Sequence, residues 1–184
     1  MKSITRRRLA HAALLGLFSI ALSSSLSTVH GAAGAPLIFE SNPGPSEAGA
    51  AFLARGDGYE LLVDPTGVTL LLPTHQGRKE ESVRLFFLGT EPSSRLVGTE
   101  ELPGKVNYLV GTDAASWRSG VSTYAAIALD DPYPGVSMIY RGDQRQLAIE
   151  FTIAPGADPR SIRIGFAGTD AVRIDPSTGD LVLT

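Results

Sequence analysis

The strongest constraint in this chain is a two-residue alternation of apolar and polar side chains that begins after Ala50 and seldom lapses. It is cleanest where Leu147, Ile149, Phe151 and Ile153 alternate with Ala148, Glu150 and Thr152. Successive side chains of a β-strand point to opposite faces, so such a segment buries one face and wets the other. Ile162, Ile164 and Phe166 repeat the pattern against Arg163 and Gly165, and Val136, Met138 and Tyr140 against Ser137, Ile139 and Arg141. No stretch after Ala50 holds a helical 3.6-residue period over three turns. The expected fold of residues 51–184 is therefore all-β, an antiparallel β-sandwich of about nine or ten short strands, with turn chemistry roughly every 8–12 residues.

The turns set the strand limits. Asp64-Pro65-Thr66-Gly67 has Asp, Pro and Gly where a type I turn favours them, which predicts a hairpin between Gly58–Val63 and Val68–Leu72. Pro73–Ser82 reads as a solvated loop, and Val83–Phe87 as a strand. Arg95–Val97 and Val106–Val110 read as two strands separated by Gly98–Gly104, which carries Pro103 and Gly104. Thr112–Gly120 reads as a loop holding Trp117, and Tyr124–Leu129 as a strand closed by Asp130-Asp131-Pro132. Residues 34–50 form a Pro-, Gly- and Ser-rich segment in which Leu37–Glu40 reads as a short edge strand and Asn42-Pro43-Gly44-Pro45 as a turn. The last hairpin, Val172–Ile174 with Leu181–Leu183 about Asp175–Gly179, stops inside a strand. Continuation into a longer parent chain, or a truncated copy of one, is expected from that stop.

The start of the chain has a different character. Lys2 and Arg6-Arg7-Arg8 form a basic region, Leu9–Leu22 an apolar one, and the residues up to Ala35 are small and polar. This is the layout of a secretory signal peptide spanning residues 1–33, with cleavage after Gly31 or Ala33. The apolar run is interrupted by His11 and Ser19 and is shorter than the roughly 20 residues a membrane span needs, so no permanent membrane anchor is expected. Arg6-Arg7-Arg8 also fits a twin-arginine signal, but the residues after Leu9 fit it poorly and the general secretory route is favoured. Losing Lys2 and the three arginines makes the mature chain more acidic than the −3 of the whole, which opposes binding to nucleic acid. There is no cysteine, so an exported domain of this size must rely on its core rather than on disulfides.

Certain stretches match a known pattern in combination. These are Phe39-Glu40-Ser41-Asn42, Arg55-Gly56-Asp57-Gly58-Tyr59, Leu102–Tyr108, Trp117-Arg118, Tyr133-Pro134-Gly135-Val136, Tyr140, Arg145–Phe151 and Pro155-Gly156-Ala157-Asp158-Pro159. From about Phe39 to Leu183 the chain resembles the N-terminal domain of bacterial surface proteins that carry SBBP-type β-propeller repeats. It departs from them in having Asn42-Pro43-Gly44 where Asn-Gln-Gly is usual, and in lacking the repeats. The resemblance implies an exported structural or adaptor module with no established activity, whose partners are downstream propeller repeats or other surface proteins. It implies no catalytic residues.

The residues themselves offer little chemistry. His75 is the one histidine left after cleavage and cysteine is absent, so the usual zinc ligand sets cannot form. No Gly-x-Ser-x-Gly elbow is present. Glu100-Glu101 and Asp130-Asp131 are paired carboxylates, the raw material of a glycan hydrolase, yet adjacent acids point apart and read better as surface turn charges. Asp175, Ser177 and Asp180 resemble half of a Ca²⁺ loop but lack its closing glutamate, and a hairpin turn accounts for them. The remaining candidates are aromatic: Trp117, Tyr108, Tyr124, Tyr133 and Tyr140 are the set from which a sugar-stacking platform for extracellular polysaccharide would be drawn. Core packing is the competing account of their alternation. The expectation is a non-enzymatic exported module, with carbohydrate binding as the first alternative and glycan hydrolysis as the second.

Overall fold

The computed structural model describes residues 36–42, 50–72, 81–143 and 146–184. The signal peptide, His75 and most of the Asn42–Pro45 turn lie outside the described residues. The strands are β1 (Phe39–Ser41), β2 (Phe52–Arg55), β3 (Glu60–Asp64), β4 (Gly67–Leu72), β5 (Glu81–Phe87) and β6 (Leu96–Tyr108). They continue with β7 (Arg118–Tyr133), β8 (Val136–Asp143), β9 (Gln146–Ile153), β10 (Ile164–Ala167), β11 (Val172–Ile174) and β12 (Leu181–Leu183). Among the described residues the helical pieces are two single 3₁₀ turns, Ala114–Ser116 and Pro159–Ser161. The all-β expectation holds.

All pairings are antiparallel, and one sheet runs β10-β5-β4-β3-β2-β1-β7-β8-β9, with β6 added alongside β7. Hairpin β3–β4 turns where the sequence places it, Asp64 pairing with Gly67. The Asp64 carboxylate accepts from Thr66 N at 2.7 Å and from Arg84 Nη2 at 2.7 Å, tying the turn to β5. The sheet curls until its two halves face each other around one core, giving a sandwich-like fold. Phe39, Val63 and Leu85 from one half share that core with Ile127, Met138 and Tyr140 from the other. Phe87 of β5 meets Phe151 of β9 edge-on at 5.9 Å, closing the curl between strands that lie far apart along the sheet. Such a pair adds about 0.5–1.5 kcal/mol beyond the area it buries. Tyr133 closes the same end by donating its hydroxyl to Leu88 O at 3.1 Å.

Three elements differ from the sequence-based expectation. The segment expected at a sheet edge is internal: β1 pairs with β2 on one side and β7 on the other, and Leu37 and Phe39 are buried. The two strands expected around Gly98–Gly104 are one strand, β6. Gly98 is covered by the ring of Tyr124, which would lie 2.5 Å from a Cβ there, and Pro103 and Gly104 fall in a register shift between Leu102 and Lys105. A bulge accommodates residues that a regular ladder would reject. In the same way β7 runs on through Asp130-Asp131-Pro132 to Tyr133, with Asp131 at φ 44° inside a second register shift.

Strand β7 has two neighbours on the edge away from β6. Its Thr123 and Tyr124 pair with β1, and from Ala126 onward it pairs with β8. Consecutive Ala126 and Ile127 are both fully buried at this fork, where one-sided alternation breaks down. Next to it Gly142 of β8 passes so close to Leu37 that a Cβ would sit 2.0 Å from the Leu37 carbonyl oxygen, so only glycine fits. Beyond the main sheet, β11 and β12 form a separate two-stranded ribbon.

One group in the core is unsatisfied. The Tyr140 hydroxyl is fully buried without a hydrogen-bond partner, and burial drives its pKa far up. Burial likewise raises Tyr59, Tyr108 and Tyr133. A folded-state pKa above the unfolded value means stability that is complete below about pH 10 and declines as the pH rises past it. Tyr140→Phe is expected to stabilise the domain by roughly 1 kcal/mol at neutral pH, because it removes an unpaired buried hydroxyl, and to flatten the alkaline decline. Urea denaturation from pH 7 to 11 measures both effects; a destabilised variant at pH 7 would contradict the assignment.

Candidate functional site

On the face of β1–β2 turned away from the core lies a cleft of about 260 Å³. Alternation along β1 decides which side chains reach it: Phe39 enters the core, so Glu40 faces the other way, together with Leu53, its partner across β2. Glu40 is nonetheless buried, because the far end of the β6–β7 ribbon folds over this face. Thr123, in β7 at the base of the ribbon, is also buried and donates its hydroxyl to Gly104 O at 2.7 Å.

The centre of the cleft is a charge-paired triad drawn from three strands. Arg55 Nη1 donates to Glu40 Oε1 at 3.0 Å and to the Tyr108 hydroxyl at 2.6 Å. Tyr108 in turn donates its hydroxyl to Glu40 Oε2. The second guanidinium nitrogen of Arg55 reaches Glu60 Oε1 at 3.2 Å, and the guanidinium lies 5.4 Å from the centre of the Tyr108 ring. Burial and the Glu40 carboxylate raise the pKa of Tyr108, while its phenol and the neighbouring acids outweigh desolvation and raise that of Arg55. Buried carboxylates persist only when paired and hydrogen-bonded, and Glu40 meets both conditions.

The mouth of the cleft is built differently. Asn42 donates Nδ2 to Ala50 O at 3.0 Å, which turns its Oδ1 toward Arg118 Nη1 at 3.4 Å. Val121 and Val110 supply an apolar wall. The adjoining loop exposes Leu109, Val110 and Trp117, the indole donating to Gly111 O at 3.2 Å and remaining 44% exposed.

The aromatic set named from the sequence is dispersed. Tyr140 and Tyr133 are buried, Tyr124 packs edge-on to Phe52 at 5.8 Å, and Tyr108 lines the cleft. Trp117 presents itself to solvent. A platform of all five does not form, because Tyr124, Tyr133 and Tyr140 pack in or against the core while Tyr108 and Trp117 lie outside it. The paired acids diverge as well. Glu100, at φ 54°, receives two 2.8 Å contacts from Arg141, whereas Glu101 is bound by Lys105, which lowers its pKa. In the Asp175 turn, Oδ1 accepts from Ser177 N at 2.8 Å and from Ser177 Oγ at 2.6 Å, contacts that also lower its pKa. The Asp175–Asp180 segment thus satisfies itself as a hairpin turn, closed by Asp175 N on Asp180 O at 2.7 Å. Among the described residues, no three His, Cys, Asp or Glu side chains gather as metal ligands, and no helix is long and apolar enough to cross a membrane.

Glu40, Asn42, Arg55 and Arg118 were not singled out as site residues from the sequence. The one signal that could have found them is that all four lie in stretches carrying the family resemblance, some of which, at Glu40–Asn42, Arg55, Tyr108 and Arg118, meet at this cleft.

Fold and cleft together define a small all-β, sandwich-like domain with a charge-paired cleft on the outer face of one sheet. The chain belongs to the family described as Domain of unknown function (DUF7948), whose model matches residues 39–184. No curated protein and no solved structure matches it.

The triad yields a stability prediction. Glu40→Gln is expected to cost about 1–3 kcal/mol, less than for a fully buried pair because Arg55 is half exposed. Tyr108→Phe should cost about 1 kcal/mol. A double-mutant cycle in urea should show the two losses to be non-additive by about 0.5 kcal/mol or more; additive losses would mean that the triad is not one network.

Proposed function

We propose that the chain is a non-enzymatic, exported module that serves as the N-terminal structural or adaptor domain of a bacterial surface or secreted protein, as in the propeller-bearing proteins it resembles. The observation that carries this reading is the state of the cleft. Glu40, the one carboxylate among its described lining residues, is engaged on both oxygens by Arg55 and Tyr108, so among those residues no carboxylate is left free for proton transfer. A cleft whose carboxylate is already paired and whose rim is apolar suits holding a partner better than transforming a substrate. The basic and apolar leader of residues 1–33 supports export, and the acidic remainder supports partners other than nucleic acid.

A second reading, carbohydrate binding, rests on the exposure of Trp117 beside the cleft. Trp117→Ala abolishing retention on cell-wall polysaccharide would favour it; a wild-type domain that is not retained would end it.

Export is tested by expressing the full chain with a C-terminal tag in a Gram-negative host, fractionating the cells and sequencing the N-terminus. A processed product beginning near Ala32–Ala35 outside the inner membrane is expected. Unprocessed chain confined to the cytosol would overturn the reading.

A further inference from the structure

The two arginines of the cleft are in opposite electrostatic situations. Arg55 is compensated by Glu40 and Glu60. Arg118 is exposed and held by a single long hydrogen bond, 3.4 Å to the neutral amide oxygen of Asn42. Among the described residues Glu40 is the only acid lining the cleft, and both of its oxygens are committed elsewhere. Arg118 therefore presents a guanidinium fork without a counter-charge among the described residues, and Asn42, itself anchored on Ala50 O, fixes where that fork stands.

The surface next to that cation is aliphatic. Leu53, Val110 and Val121 line the cleft, with Val110 74% exposed at its edge. Tyr108, the one aromatic ring among the described lining residues, already has the Arg55 guanidinium 5.4 Å from its centre, which competes with stacking on a sugar. An arginine fork recognises carboxylates in bidentate fashion, and an aliphatic wall takes an aliphatic group.

We propose that the Arg118 end of the cleft binds a carboxylate next to an aliphatic side chain, presented by an extended polypeptide such as a free C-terminus ending in Val or Leu. The proposal rests on the reading of the domain as a module for a polypeptide partner and names the chemistry by which that partner is held. About 260 Å³ accommodates one or two such residues, not a folded surface. Arg118 supplies the charge-assisted bonds, Val110 and Val121 the apolar contact, and the Glu40–Arg55–Tyr108 triad a rigid floor.

The test uses the isotopically labelled, purified full chain titrated with acetyl-Gly-Val-Leu bearing a free C-terminal carboxylate, with the same tripeptide as its C-terminal amide, and with galacturonate. The free acid is expected to shift the Arg118 Nε–H signal and the Val110 and Val121 methyl signals saturably. The amide should bind at least about tenfold more weakly, the worth of one charge-assisted contact. Arg118→Gln should weaken the free acid by about the same factor while leaving the melting temperature unchanged, since Arg118 is exposed. Equal binding of acid and amide, or undiminished binding by R118Q, overturns the proposal. Galacturonate displacing the tripeptide overturns the polypeptide assignment in favour of a glycan. If all probes leave the cleft signals unmoved the proposal falls, whereas the export reading is judged by fractionation alone.

Discussion

The structure depends on β7, which over its buried part must satisfy its backbone along both edges. Buried N–H and C=O groups that lack partners are costly, so from Thr123 onward, where it enters the domain, the strand needs neighbours on each side. β6 supplies one edge. The other is divided between β1 and β8, and this division makes the fold. Because β1 carries β2 to β5 and β10 with it, while β8 carries β9, a shared strand joins two halves that a simple meander would have left in one plane. The curl, the enclosed core and the Phe87–Phe151 contact follow from that junction.

The cleft is a second product of the same strand. Where β7 starts, before it reaches β1, it and β6 form a two-stranded arm free of the main sheet's plane. Register shifts at Leu102/Lys105 and Val106/Tyr108 bend the arm over the outer face of β1. Bulges increase local twist and re-aim side chains, and here they bring Tyr108 onto Glu40. A carboxylate that would have been a solvated surface charge becomes a desolvated one with two dedicated partners. The most buried charge of the described residues thus lies outside the hydrophobic core, under a two-stranded cover.

The fold was legible wherever information is local. The Asp64–Gly67 turn, the alternation of β9 and the hairpin about Asp175–Gly179 can be read from a few consecutive residues. β6 was misread as two strands because Gly98 and Pro103 look like breakers in isolation. What rescues them, the Tyr124 ring and a bulge, belongs to the partner strand. β1 was misplaced at an edge for the same reason, since three residues carry no sign of how many neighbours they will have. The cleft was the least legible part. Glu40 and Arg55 each look like ordinary strand residues by themselves, and Tyr108, named for its ring, lies far from both in the chain and gave no sign of their company. The tyrosines and Trp117 drew notice instead through their chemistry, and the sheet then sent them to different faces.

The fork also sets an order of events in time. Phe39 pairs with Tyr124, so the first strand waits for the seventh before half of its ladder exists. Until then the preceding segments have β2, β3 and β4 as local hairpins and little else to bury against. Pairings of such long sequence separation are slow to form, since the closure entropy precedes any reward. A growing chain of this kind stays open until late in its synthesis, and its core closes only when β7 and β8 are both available to pair.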